Sequence, residues 1–158
     1  MEIFPKFTID ESGVYFTVLV FEDYVVKIPK KDKVKQVSEL KFISDSQTKL
    51  SDIKGVLPCW LIENVLVMPK AKGKRSDQYP EKKAHIKALR NEILEKIKGK
   101  GYELRDTGQR NMFYDEEQDQ VYMIDFHAIK LLDNKKEKQR INDLQRNHSQ
   151  HRPYPKRN

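Results

Sequence analysis

The sequence predicts an α+β fold, an antiparallel sheet carrying one helix and then a mostly helical part, and three observations predict it. Two runs rich in β-branched and aromatic residues, VYFTVLV at 14–20 and YVVKI at 24–28, flank the short Phe21-Glu22-Asp23 segment, the pattern of a β-hairpin. Val34, Val37, Leu40 and Ile43 recur at steps of three, the spacing of an amphipathic helix. Ala84, Ile86, Leu89, Ile93, Leu94 and Ile97 form a second helix-like stripe.

In order along the chain, a strand over Ile3 to Ile9 precedes Glu11-Ser12-Gly13. Pro29 ends the second hairpin strand, because it cannot donate to a ladder. Asp32 is the expected N-cap of the first helix, which should end near Asp45. Val56 to Ile62 and Val65 to Met68 read as a second hairpin around Glu63-Asn64. Pro69 to Tyr79 is polar and aperiodic and reads as a linker. Pro80 suits the first turn of a helix running to Lys98, and Gly99-Lys100-Gly101 stops it. Asn111 to Asp115 and Val121 to Phe126 read as short strands, Asn134 to Asn147 as a charged helix, and His148 to Asn158 as loose. The expected units are 1–70, 71–147 and a basic tail, 148–158.

The chain has 158 residues, 37% of them apolar and 35% charged. That excludes a wholly disordered chain and implies a thin core. The longest strongly apolar stretch, Val14 to Phe21, is far too short to cross a bilayer, so no membrane span is expected. MEIFPKFTIDE has no cationic segment followed by an apolar one and does not read as a secretory signal. The single cysteine, Cys59, cannot form an internal disulfide and fits a reducing, cytoplasmic setting. Of the net charge of +7, nearly all lies in 134–158, where eight Lys/Arg face Glu137 and Asp143. Such a segment suits nucleic acid, an anionic membrane or an acidic partner protein.

Three segments carry chemistry: Lys27 in the second hairpin strand, Asp106 with Asn111 five residues on, and Asp125 in Ile124-Asp125-Phe126. Phosphoryl transfer from ATP needs these types: a cation on the phosphates, a carboxylate that orients the attacking hydroxyl, and an amide oxygen with a second carboxylate for Mg²⁺.

In this order the segments resemble the protein-kinase superfamily. Tyr24-Val25-Val26-Lys27 resembles the VAIK strand, Leu104-Arg105-Asp106 with Asn111 the HRDxxxxN loop, and Asp125-Phe126-His127 the DFG segment. Glu39 stands where the glutamate of the C-helix would be, and Leu66-Val67-Met68-Pro69-Lys70-Ala71 resembles the last N-lobe strand running into the hinge. The departures are the absence of GxGxxG, of which only Gly13-Val14-Tyr15 resembles the end, Leu104 for the motif's His, His127 for its Gly, and no Ala-Pro-Glu in the 32 residues after Phe126. A full activation segment and large helical C-lobe do not fit that length. The reduced pattern is similar to small atypical kinases: the RIO type, the kinase subunit of the tRNA-modifying KEOPS complex, and bacterial lipopolysaccharide-kinase-like proteins.

The resemblance implies a minimal two-lobed kinase-like fold with an antiparallel N-lobe sheet plus one helix, a shortened helical C-lobe, and ATP and Mg²⁺ between them. Ala71 N–H and the Pro69 carbonyl would bind adenine, bordered by Met68 and by Gly13. Lys27, paired with Glu39, would contact the phosphates. Asn111 and Asp125 would hold the metal, and Asp106 would take or orient the proton of a serine or threonine hydroxyl on a protein substrate or on the chain itself. His127 reads as a packing or hydrogen-bonding residue, and Arg105 as a structural salt-bridge former. The alternatives are a pseudokinase that binds nucleotide or scaffolds, and a basic nucleic-acid-binding protein without enzymatic activity.

Overall fold

The structure is a computed structural model that describes residues 5–33 and 36–132, with Arg146. Strands β1 (Thr8–Asp10), β2 (Phe16–Val20), β3 (Tyr24–Pro29), β4 (Trp60–Ile62) and β5 (Val65–Pro69) form an antiparallel sheet in the order β1-β2-β3-β5-β4. Side chains alternate between the faces of a strand, so register decides which residues look inward. Val18, Lys27, Leu66 and Leu61 stand in one cross-strand row. Leu66 is 1% exposed, and Val18 and Leu61 pack against the core. Lys27 is therefore turned to the inner face by its place in the ladder.

Helix α1 (Val37–Lys49) buries Leu40, Ile43 and Gln47 beneath this sheet. The chain then crosses to the second half. Met123 N donates to Gly55 O at 2.9 Å, and Val56 makes a parallel bridge with Met123. Gly55 has φ +102, and a Cβ there would stand 2.5 Å from Val121 O, so this approach of two backbones requires glycine.

The second half holds β6 (Lys74–Arg75), α2 (Lys83–Gly99), β7 (Tyr102–Leu104), β8 (Met112–Asp115), β9 (Gln120–Met123) and β10 (Ile129–Leu131). Strands β6, β8 and β9 make one antiparallel sheet, and β7 pairs with β10. Ile86, Ile93 and Ile97 of α2 are buried and join one continuous core with Val121, Met123 and Phe126.

The α+β class and the order of its main elements stand as expected, and both early hairpins form, the second with a first strand of Trp60–Ile62 in place of Val56 to Ile62, since Val56 bridges Met123. Several details differ. Asp32 does not cap α1: it lies in a 3-10 turn over Lys31–Lys33, and the helix starts after Gln36, which makes no side-chain cap bond. The helix runs to Lys49 instead of ending near Asp45, because Ser46, Gln47 and Leu50 continue its buried face. The expected linker contains β6 and a 3-10 turn with buried Ser76. Among the described residues the second half is one α-helix and five short strands, less helical than expected. The charged helix and basic tail lie outside the described residues, Arg146 apart.

Gly73 has φ +88, and a Cβ there would fall 2.0 Å from Tyr114 O. Gly73→Ala therefore combines a left-handed backbone with overlap against β8 and should cost about 2–5 kcal/mol in urea unfolding. Gly99→Ala, at the open end of α2 where an added Cβ meets nothing within 4 Å, should be neutral or stabilising. Equal effects would mean that Gly73 is not held against β8.

Candidate active site

The site forms where the inner face of β3 meets the loops around β8 and β9. Lys27 is the one charged member of an apolar row, and its side chain is 11% exposed. A buried ammonium needs acceptors. It finds them 97 residues along the chain: Nζ donates to Ile124 O at 2.7 Å and lies 3.9 Å from Asp125 Oδ1. Burial alone would raise the Asp125 carboxyl, but the Lys27 charge and the hydrogen bonds from His127 outweigh it and hold the group well below the ordinary carboxylate range.

His127 links this carboxylate to the next. Its backbone N donates to Asp125 Oδ1 at 3.1 Å, its Nδ1 lies 2.7 Å from the same oxygen, and its Nε2 lies 3.4 Å from Asp106 Oδ2. The ring can donate to both carboxylates at once only as an imidazolium. Tyr15 covers it, ring centroids 5.1 Å apart.

Asp106 has φ +56, a left-handed conformation that a non-glycine residue adopts only when held there. Asn111 Nδ2 donates to Asp106 O at 2.7 Å, so the two motif residues are tied directly. Asn111 O in turn accepts from Ile124 N at 3.1 Å, and Met112 pairs with Met123, which sets Asn111 beside the Ile124-Asp125 segment. The acceptor oxygen of Asn111 is the amide end opposite that bond. The contacts of Asp125 run through Oδ1, with Oδ2 as its second acceptor. These two oxygens are the hard donors that could face a cation. Among the described residues, no three His, Cys, Asp or Glu side chains converge as a closed metal cage.

Lys27, Asp106, Asn111 and Asp125 are thus brought together. Glu39 stands on α1, apart from the bonds that link these four. Lys27 finds its carboxylate on Asp125, whereas Glu39 lies exposed in the first turn of α1. One residue before buried Leu40, it is carried about 100° round the helix from that side chain. Met68 is 5% exposed and shares the inner face with Lys27, while Ala71 is 7% exposed and Pro69 pairs with Tyr24. Gly13 is exposed, its carbonyl accepting from Lys30 Nζ at 2.6 Å. Ala71 also borders an open cleft of about 650 Å³ between the Glu22-Asp23 turn, Lys70–Lys74 and the Asp115–Glu117 turn. That cleft includes none of the four clustered residues. Arg105 lies 3.5 Å from Glu103, as expected of a structural pair.

Sequence reasoning missed the double engagement of His127 and the ring of Tyr15 above it. Placement of His127 two residues after Asp125 was the available signal; nothing local marks Tyr15 as its cover. No protein-family model matches the chain, and no curated protein matches it.

The depressed Asp125 value fixes a direction. A carboxyl lowered in the folded state contributes stability that is complete above its unfolded value near 3.8 and is lost as pH falls towards the folded one. The melting-temperature gap between wild type and Asp125→Asn should be steady above about pH 5 and narrow on further acidification. A gap that widens in acid would mean that Asp125 is not held as the carboxylate.

Proposed function

We propose that the chain is an ATP- and Mg²⁺-dependent phosphotransferase of the atypical protein-kinase type, acting on serine or threonine of a protein or of itself. The observation that carries this reading is the convergence of Lys27, Asp125, Asn111 and Asp106 from one sheet and two loops. The set suits triphosphate chemistry: a cation, two carboxylates and an amide oxygen, linked through hydrogen bonds and an ion pair.

Mg-ATP, when bound, supplies the phosphoryl group and the cation that neutralises its oxygens. Asn111 Oδ1 and Asp125 Oδ2 would hold that cation, and the small ligand set fits Mg²⁺, which keeps waters and phosphate oxygens in its shell. Lys27 would turn its ammonium to the α/β-phosphates, its neighbour Asp125 preserving its orientation in the role first assigned to Glu39. Asp106 would accept or orient the hydroxyl proton, and catalysis would rest on positioning and charge complementarity. The nucleotide base would lie against Met68 and the Pro69–Ala71 segment. A cytoplasmic setting and a nucleic-acid or acidic partner for the basic tail complete the reading. Among the described residues, no helix is long and apolar enough to cross a membrane.

One observation favours a second reading, a module that binds nucleotide without transferring phosphate: His127 already engages both Asp106 and Asp125.

Labelled Mg-ATP tests the first reading, through phosphate incorporated into the chain and into a basic and an acidic protein acceptor. Asp125→Asn should abolish metal-dependent transfer. Asp106→Asn should lower it by about two orders of magnitude or more, with ATP affinity nearly unchanged. ATP binding by the wild type with no transfer would select the second reading; a thermal shift of zero with Mg-ATP would remove both.

The phosphate contact has its own check. Lys27→Met and Asp125→Ala should be coupled by about 0.5–3 kcal/mol in a stability cycle, the range for residues in contact; a second cycle, Lys27→Met with Glu39→Ala, reads the pairing of those two. Coupling to Glu39 alone would reverse the assignment.

A further inference from the structure

The segment that bears Asp106 leaves the regular ladders: residues 105–108 lie outside helix and strand, with backbone bonds at their ends only, from Arg105 N to Ala128 O at 3.4 Å and from Asn111 N to Gly108 O at 3.0 Å, and Asp106 itself is left-handed. A non-glycine residue in that region carries a backbone cost, which contacts with its surroundings can offset. Three side chains from outside the segment make such contacts. Asn111 holds Asp106 O, Ser76 Oγ donates to Gln109 O at 2.6 Å, and Arg90 Nη1 donates to Thr107 O at 3.0 Å. Ser76 is 1% exposed and belongs to the packed base of the second half. Arg90 is different. It projects from the middle of α2, a regular helix with its own buried stripe, and reaches the carbonyl of Thr107, the residue after Asp106.

Its guanidinium is itself oriented. Nε and Nη2 both face Asn91 Oδ1, at 3.3 and 3.2 Å, which leaves Nη1 as the donor aimed at Thr107 O. A planar fork gripped on one edge presents its other edge in a fixed direction, which a flexible ammonium cannot reproduce. The charge also strengthens the bond to a neutral carbonyl.

We infer that Arg90 is a positioning residue for Asp106: from α2 it fixes the Thr107 carbonyl, and so the left-handed backbone that aims the Asp106 carboxylate. This rests on the phosphotransferase reading only for its catalytic consequence; the holding of the loop is a property of the fold. Arg90 touches neither the nucleotide contacts nor the metal donors, so its effect falls on turnover and not on ATP binding.

The test uses the full chain with Arg90→Ala and Arg90→Lys beside wild type and Asp125→Asn. Transfer kinetics are measured together with amide NMR spectra of residues 105–111. Arg90→Ala should lower kcat by about 10–100-fold, the scale of a displacement near 1 Å, with KM for ATP unchanged. The amide signals of Thr107 and Gly108 should broaden while those of β8 and β9 keep their positions. Arg90→Lys should recover part of both, because one donor returns without the fork. If Asp125→Asn is inactive and Arg90→Ala turns over at the wild-type rate, the positioning role is overturned and the phosphotransferase reading stands. If Asp125→Asn is as active as wild type, or wild type shows no transfer, that reading fails, and the spectra decide alone: unchanged Thr107 and Gly108 signals in Arg90→Ala overturn the inference. A loss of signal dispersion across β8 and β9 in Arg90→Ala would show a general packing role and overturn it equally.

Discussion

An ammonium group on the inner face of a sheet has to be answered from across the core, and the answer to Lys27 organises the site. The row Val18–Lys27–Leu66–Leu61 leaves no choice of direction for that side chain. Its charge cannot reach bulk water at 11% exposure without giving up packing. The acceptors come from Ile124 and Asp125, so a single requirement ties the first sheet to the end of β9. The same contact explains the electrostatics. Asp125 is partly buried, which disfavours its charge, yet it remains a carboxylate because Lys27 and His127 stabilise that charge more than burial opposes it.

Further order follows from this pair. Asp125 fixes His127 through two bonds, and His127 approaches Asp106. Asp106 O is held by Asn111, whose own carbonyl is bonded to Ile124. The links close a ring of contacts: Lys27 to Ile124 and Asp125, then His127, Asp106, Asn111 and back to Ile124. Each member restrains its neighbours, and a left-handed Asp106 is tolerable within such a ring. The antiparallel β8–β9 pairing supplies its rigid base, since Met112 opposite Met123 places the residues just before and just after those strands side by side.

Much of this was legible because the chemistry sits at the ends of strongly patterned strands. A lone lysine in YVVKI and an aspartate closing VYMID stand out against apolar neighbours, and a five-residue Asp–Asn spacing signals a shared loop. Strands β6, β7 and β10 have two or three residues each, too few to show a period, and their pairing is decided by distant partners. The start of α1 was misread because Asp32 is a good capping residue by type, whereas the buried face begins only at Leu40. For Glu39, motif order puts a glutamate on the right helix, but one residue of register decides which way its side chain faces. Arg90 was invisible because its partner is a backbone carbonyl, and carbonyls leave no mark in a sequence.

The turn between β1 and β2 shows how far the site departs from a glycine-rich phosphate loop. There, backbone N–H groups would be free to meet phosphate oxygens. Here the turn is organised through its carbonyls, since Lys30 Nζ donates to Glu11 O at 2.7 Å and to Gly13 O at 2.6 Å. Lys30 N also donates to Tyr15 O at 2.9 Å, so one residue at the end of β3 pins the turn at three points. Pinning places the Tyr15 ring on His127, above the two carboxylates. The His127 ring that links Asp125 to Asp106 is therefore covered by an aromatic side chain, not by glycine backbone. On the proposed reading, a phosphate chain would meet Tyr15 there, with Lys27 as the side-chain cation of the site.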